Sequence, residues 1–372
     1  MLIFFSFIFI ILIIYGITII KYIHYWKHLE KNKRNFSPTK EFNVTIIISC
    51  RNESHNIKNI VSNFLNQNFN NKRLELILIN DHSNDDTFET IKRYSEKHKR
   101  IRCINLDSYL SGKKNAIRKG ISESKGDIII CTDADCLFSK NWVSKITECF
   151  SDSSIHFVSS PVSILPEGSF FSNFQEMELI ALVGSTASEI YRGKPIICNG
   201  ANIAFRKISY QSINSNNLKN MNLDDISLMH LFNDLYKDSI YFYNDYESIV
   251  YTYPMKNIKN IILQKTRWVS GFKSINDRHS IIISFVVFIM NFLICFLLIA
   301  CIINFNFFNI FFVVFIVKII LDYFYFKELV SFFKRKYLLI YLPIFEIIHA
   351  FLSIVVVTLS YCIPIYWKGR KI

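Results

Sequence analysis

The stretch GDIIICTDADCLF, residues 126–138, decides how this chain is read. Ile128, Ile129, Ile130 and Cys131 form the apolar run of a strand covered on both faces. Two carboxylates, Asp133 and Asp135, follow it with only Ala134 between them. On a backbone still extended through DIIICTD (127–133), side chains two apart point to one face, so both acids would project together from the strand end. Two anions about 6 Å apart repel by about 3 kcal/mol at an effective dielectric of about 20, so the pair calls for a cation.

The neighbouring sequence repeats the pattern. VTIIISC (44–50), LELILIN (74–80) and IRCINL (101–106) are further near-continuous apolar runs, and HNIKNIVSNFLNQ (55–67) and DDTFETIKRYSEKH (85–98) have apolar residues at helical spacing. Alternating strands and helices predict an α/β fold with a doubly wound, mostly parallel sheet, whose ligands gather at the carboxyl ends of the strands. After the first strand come Arg51, Asn52 and Glu53; after the second, Asn80, Asp81 and His82; after the third, SGKKNAIRKG with Lys113 and Lys114; after the fourth, Asp133 and Asp135. Hard oxygen ligands beside lysines suit a polyphosphate carrying Mg²⁺ or Mn²⁺. A single strand-end acid more often makes an Asx turn or caps the next helix, the role expected of Ser83, Asp85 and Asn141; four strand ends in succession favour a site. Neither GxGxxG nor GxxxxGKS occurs, which argues against a dinucleotide oxidoreductase and a P-loop NTPase.

The rest of the chain is too apolar for an ordinary soluble enzyme: 51% of 372 residues are hydrophobic, with 35 Phe and only 10 Gly. Residues 1–22 read as a retained transmembrane anchor, because positive charge follows the apolar run instead of preceding it. That flank predicts a cytoplasmic location from residue 21 onward. Residues 280–366 read as about three C-terminal transmembrane helices, near 281–303, 305–326 and 338–363, with Lys318 and Asp322 one helical turn apart and able to pair inside the bundle. KELVSFFKRKY (327–337) is then a basic cytoplasmic loop. The side of the basic tail stays open: one last crossing puts it outside, and a bend at Pro343 or Pro364 keeps it inside. The formal net charge of +13 is spread over juxtamembrane segments and helix faces, which suits an anionic membrane leaflet better than nucleic acid. Nine cysteines without CxxC pairs read as reduced thiols, and His24 and His28 as residues of the membrane interface, not metal ligands.

In chain order, VTIIISCRNESHNI, LILINDHSNDDT, GKKNAIRKG, GDIIICTDADCLF, ICNGANIAFRK, NLDDISL and QKTRW resemble the membrane-bound family 2 glycosyltransferases, with DxD and QxxRW motifs. The resemblance covers about residues 42–275 and implies a GT-A catalytic domain over residues 40–275, flanked by transmembrane helices. It implies that Arg51, Glu53 and Asp81 hold the nucleotide, that Lys113 approaches the diphosphate, that Asp133 faces the donor and that Asp135, with Asp133, binds a divalent metal. Asp225 becomes the general base with Asp224 as rival, and Gln264, Arg267 and Trp268 close over the donor diphosphate and acceptor. Gln264, Arg267 and Trp268 fall on one helical face; Trp268 also suits an interface anchor. Two departures stand out: Ser49 replaces the usual proline before Cys50, and the acid pair is LDD. NGAN (199–202) shapes an acceptor pocket or a tight strand turn. The function implied is an inverting transfer from a nucleotide-sugar to a membrane lipid or lipid-linked glycan acceptor at the cytoplasmic face. The alternatives are a processive polysaccharide synthase and a catalytically silent nucleotide-sugar-binding scaffold subunit.

Overall fold

The computed structural model describes residues 2–36, 41–215, 224–272, 277–363, 366–367 and 370–371. The chain divides into two compact units: Asn32–Leu165 with Glu189–Tyr253, and Met1–Lys31 with Pro166–Ser188 and Pro254–Ile372.

In the first unit, the apolar runs at 44–50, 74–80 and 128–131 become strands buried on both faces, while the edge run at 101–105 is buried only at Ile101. β1 (Val44–Cys50) is central; α2 (Ser54–Leu65) leads to β2 (Leu74–Asn80), α3 (Thr87–Lys97) to β3 (Ile101–Asn105), and α4 (Lys113–Glu123) to β4 (Ile128–Cys131). β1 pairs in parallel with β2 from Val44↔Leu74 to Cys50↔Asn80, and with β4 from Val44↔Ile128. Helix α2 buries Ile57, Ile60, Val61 and Phe64. Gly120 lets α4 lie close to the sheet: a Cβ there would stand 2.5 Å from Ile47 Cγ2 and 2.9 Å from Ile79 Cδ1.

Beyond β4 come β5 (Cys136–Phe138), α5 (Trp142–Glu148), β6 (Phe157–Ser159), β7 (Val162–Ile164), α6 (Phe170–Tyr191), β8 (Ile203–Arg206), α7 (Lys207–Ser215), α8 (Asp225–Leu235), β9 (Ile240–Phe242) and β10 (Val250–Thr252). The main sheet has the order β3-β2-β1-β4-β8-β6-β9, with β8 antiparallel to β4 and β6. A small second sheet runs β5-β10-β7. The chain steps outward from β1 to β3 and then crosses back to β4 on the other side of β1. That reversal opens a crevice at the carboxyl ends of β1 and β4, the usual ligand position in doubly wound sheets.

One local expectation fails where it matters. β4 stops at Cys131, and Asp133 to Cys136 form a turn in which the Cys136 N–H donates to the Asp133 carbonyl at 3.2 Å. The backbone is therefore not extended through Asp133 and Asp135. The reason is β5, which starts at Cys136 and pairs antiparallel with β10, Cys136 facing Thr252.

In the second unit, four helices among the described residues are long and apolar enough to cross a membrane: Phe5–Lys31, Arg278–Ile303, Phe305–Phe332 and Lys336–Cys362. They correspond to α1 (Leu2–Lys31), α10 (Arg278–Ile303), α11 (Phe308–Phe332) and α12 (Leu342–Cys362), and α9 (Ile258–Phe272) precedes the last three. Helix α1 continues well past residue 22, through the basic segment. Helix α11 also outruns its expected end: Leu329 and Val330 are buried and Glu328 pairs with Lys27 at 3.1 Å, so the loop expected at 327–337 shrinks to a turn at 333–335. Pro343 lies in the first turn of α12, where its missing N–H costs nothing, and so begins the helix instead of bending it. Pro364 and Lys368, on which the side of the tail depends, lie outside the described residues.

Lys318 and Asp322 pair at 2.6 Å, and Glu346 also bonds the Lys318 ammonium. Tyr15 donates to the other Asp322 oxygen at 2.6 Å. Helix α6, which the sequence reading passed over, belongs to this unit up to Ser188. Gly184 meets the side chains of Tyr325 and Leu329 where a Cβ would clash at 2.5 and 2.6 Å, and Tyr325 Oη donates to the Ala181 carbonyl at 2.9 Å.

Candidate active site

The carboxyl edge of the main sheet collects the acids in three groups. At the DxD turn, Lys113 Nζ lies 2.5 Å from Asp133 Oδ1. Lys113 opens α4 and is placed there by Gly112, whose φ of 91° suits glycine. The Gly112 N–H donates to both oxygens of Asp81, at 3.1 and 3.2 Å, which ties the end of β2 to the start of α4. Asp135 accepts a long 3.3 Å bond from Thr252 Oγ1. Burial, then the charges of Asp133 and Glu53, push the Asp135 carboxyl above its ordinary range.

Asp133, Asp135 and Glu53 thus act on one another here beside Lys113, and carboxylate oxygens of this kind suit a divalent cation. No group of three or more His, Cys, Asp or Glu that could hold a metal occurs among the described residues. Asp135 and Asp133 would thus be the protein's share of the coordination, with phosphate and water oxygens completing it, as is usual for Mg²⁺.

The second group is a lattice between the loops after β1 and β2. Arg51 Nη1 donates to the carbonyls of Asp81 (2.9 Å) and His82 (3.1 Å). Asn52 and His82 have positive φ, 54° and 52°, left-handed conformations uncommon outside glycine and frequent at functional sites. The Asn52 N–H donates to Ser83 Oγ at 3.1 Å, Asn52 Oδ1 accepts from the Asn84 N–H at 2.8 Å, and the Glu53 carboxylate accepts from Asn56 Nδ2 at 2.7 Å. Asp85 takes the structural role expected of it: its carboxylate accepts from Thr87 N–H and Oγ1 and from the Ser54 N–H, at the starts of α3 and α2. Burial opposes these bonds, but they hold its pKa down at about 2. Asn141 sits at the cap position of α5 without a capping bond; its amide instead donates to Glu247 at 2.6 Å.

The third group separates the two candidate bases. Asp224 caps α8, Oδ1 accepting from the Ser227 N–H at 2.8 Å, and Lys114 Nζ lies 3.7 Å from its other oxygen. Asp225 Oδ2 accepts from the Gly200 N–H at 2.7 Å. Burial raises the Asp225 pKa, the Lys113 charge draws it back, and Asp224 and Asp133 raise it again. The close approach needs glycine, since a Cβ on residue 200 would fall 2.2 Å from Asp225 Oδ2. NGAN is a tight turn, closed by Asn202 N–H to the Asn199 carbonyl at 2.9 Å. Asn202 is a core staple: its amide donates to the Pro161 and Ser248 carbonyls at 2.7 and 2.8 Å and accepts from Trp142 Nε1 at 3.1 Å.

One unit thus contains Arg51, Glu53, Asp81, Lys113, Asp133, Asp135, Asp224 and Asp225, whereas Gln264, Arg267 and Trp268 lie together on α9 in the other. Thr252 and Gly112 were missed as site residues. Gly112 carries a signal, a glycine immediately before a lysine-rich helix start; Thr252 carries none, because it reaches Asp135 only through the β5–β10 pairing. Cys131, Cys136 and Cys198 adjoin the acids as buried, unreactive thiols, Cys131 pushed up to about 12 by burial.

Residues 45–213 match the family described as Glycosyl transferase family 2. A poly-beta-1,6-N-acetyl-D-glucosamine synthase of Staphylococcus aureus (strain COL) is 31% identical over 142 residues, 38% of this chain and 34% of that protein. A synthase of the same description from Staphylococcus epidermidis is 24% identical over 239 residues, 61% of this chain and 54% of that protein. The chain thus spans about a third to a half of the length of these relatives. Among solved structures, the mannosyltransferase PcManGT from Pyrobaculum calidifontis, in complex with GDP-Man and Mn2+, superposes with a TM-score of 0.53 over 73% of this chain and 76% of its own, at 17% identity. At that identity the likeness speaks for the fold alone.

Proposed function

We propose, from the premise that this chain carries a family 2 glycosyltransferase domain at residues 45–213, that it transfers a sugar with inversion from a nucleotide-sugar to a hydroxyl of a membrane-held acceptor. The observation that carries this reading is Asp225: a half-buried carboxylate oriented by the Gly200 N–H at 2.7 Å, on the same unit as the Asp133 and Asp135 turn.

The acceptor oxygen attacks the anomeric carbon from the face opposite the diphosphate. Its proton passes to the Asp225 carboxylate, and the bond from the anomeric carbon to the diphosphate oxygen breaks with its electron pair, leaving nucleoside diphosphate. A positioned carboxylate base contributes about 10² to 10⁴ in rate, and a raised pKa makes a stronger base. Lys113 places positive charge at the departing diphosphate. A divalent cation on Asp135 and Asp133 would supply Lewis-acid relief of the same charge. Asp81 and Glu53, held by the loops after β1 and β2, are assigned to the nucleotide together with Arg51. The family resemblance assigns Gln264, Arg267 and Trp268 to the donor diphosphate and acceptor. The positive residues after the first apolar run favour a cytoplasmic catalytic unit.

A lipid or lipid-linked glycan is one acceptor reading. Repeated addition to a growing polymer is the second, and the synthases that share the catalytic core favour it. Product sizing separates them: a ladder of long chains supports the polymer, a single added sugar the lipid-linked acceptor. The test of the activity itself is donor turnover by the purified full chain in lipid with Mn²⁺ or Mg²⁺, beside Asp135→Ala and Asp225→Asn. Metal-dependent release of nucleoside diphosphate, lost in Asp135→Ala with weakened donor binding and in Asp225→Asn with binding intact, is expected. Equal turnover by all three proteins would sink the proposal.

A further inference from the structure

Helix α9 carries QKTRW (264–268), and between its motif residues stands a lysine that the motif does not require. Lys265 Nζ lies 5.6 Å from the centre of the Trp268 ring, one helical turn on. An ammonium over an indole face is attracted by the ring. On a free helix surface the lysine would leave this position readily, since holding a four-carbon stem in one rotamer costs entropy. Here it is held. Glu178 of α6, nearly buried, places Oε2 2.7 Å from Lys265 Nζ, while its Oε1 lies 2.9 Å from Nδ1 of His349 on α12. Each carboxylate oxygen thus faces a basic group, Oε2 through an ion pair without a hydrogen bond. Burial raises the Glu178 carboxyl, but Lys265 and His349 outweigh it and keep it below its ordinary range. All four side chains belong to the same unit.

We propose that Glu178 is a positioning residue for the QxxRW segment: it fixes Lys265 over Trp268 and so sets the orientation of the tryptophan ring. The proposal rests on the reading that Trp268 takes part in sugar transfer. Glu178 acts through Lys265, on a ring that is 39% exposed.

The test uses the full chain in detergent or lipid and reads the emission of Trp268 as the difference between each variant and the same variant carrying Trp268→Phe. Glu178→Gln is expected to shift that emission and to lower kcat about tenfold, with Glu178→Asp recovering part of both. Lys265→Met is expected to do the same, and Glu178→Gln with Lys265→Met no more than either alone, because contacting residues that act as a unit are not additive. The double variant also leaves no lone buried charge, so it folds if a single variant does not. Glu176→Gln serves as control: it lies on the same helix and pairs with Arg335 at 2.9 Å, so it should leave Trp268 emission and turnover unchanged. Unchanged emission in Glu178→Gln, or additive losses in the double variant, would overturn the positioning role. A shifted emission with normal turnover would instead overturn the assignment of Trp268 to transfer, and the two failures are distinguishable.

Discussion

Asp133 and Asp135 at the sheet edge have Lys113 as their neighbouring cation; Asp322 and Glu346 in the apolar unit have Lys318. Each cluster contains two carboxylates and one ammonium, yet their bonding differs. Lys318 bonds both of its acids, Tyr15 donates to Asp322, and the Lys318 and Asp322 side chains are each 3% exposed. At the sheet edge Lys113 pairs with Asp133, whose side chain is 37% exposed, and Asp135 has a 3.3 Å bond from Thr252. The apolar cluster is closed off from solvent, whereas the sheet-edge cluster is open to it, with the Lys113 and Asp133 side chains 45% and 37% exposed. Charge count alone would have ranked them equal. What separates them is access from solvent.

The strongest attempt to break this contrast is Lys318→Met, which leaves two acids facing each other without a counter-charge. A loss of about 3 to 5 kcal/mol is expected, read by thermal unfolding in detergent, with most of it regained on adding Asp322→Asn and Glu346→Gln. A melting temperature unchanged in the single variant would mean that the apolar cluster is not closed. Gly200→Ala probes the base: displacing Asp225 should cost about 1 to 3 kcal/mol of stability and lower acceptor-dependent turnover while leaving the donor KM in place.

Asp225→Asn should act on stability with the opposite sign. The folded-state pKa of Asp225 lies above its unfolded value, so its stabilising contribution is complete below the unfolded pKa and is lost as pH rises through the folded one. At pH 7 the Asn variant is therefore expected to melt at or above wild type, with the gap closing as pH falls through the raised value, and wild-type turnover falling over the same range. Asp85→Asn gives the smallest effect, about 1 kcal/mol at pH 7, with turnover unchanged. Because its pKa is lowered to about 2, that contribution is present above about 4 and disappears as pH falls through about 2, which melts across that range would record.

β1, β2 and β4 were legible because burial on both faces writes itself as an unbroken apolar run, as in VTIIISC. The candidate acids Glu53, Asp81, Asp133 and Asp135 stood out because they follow such runs. What the sequence could not reveal depended on partners far along the chain. The turn at Asp133 exists because Cys136 begins a strand that pairs with Thr252. The resemblance ranked Asp225 before Asp224, but the different bonding of the two, a capping bond to Ser227 for Asp224 and the Gly200 N–H for Asp225, is not disclosed by LDD. Lys318 and Asp322 announced themselves by helical spacing, but Glu346 joins them from another helix. Helix α6 escaped notice because FFSNFQEMELIALVGSTASEIY mixes polar and apolar residues without a simple face, and its place is set by Gly184 against Tyr325 and Leu329.

That helix has a practical consequence. The chain leaves the first unit after Leu165 and re-enters it at Glu189, so β8, α8 with Asp225, and β10 are all translated after a segment belonging to the apolar unit. Trimming both ends, however generously, leaves Pro166–Ser188 in the product, with Phe174, Met177, Ile180 and Val183 deprived of the helices that cover them. A soluble fragment of the first unit will therefore need this internal segment redesigned, by polar replacement of those positions or by a bridge from Leu165 to Glu189, before its expression becomes practical.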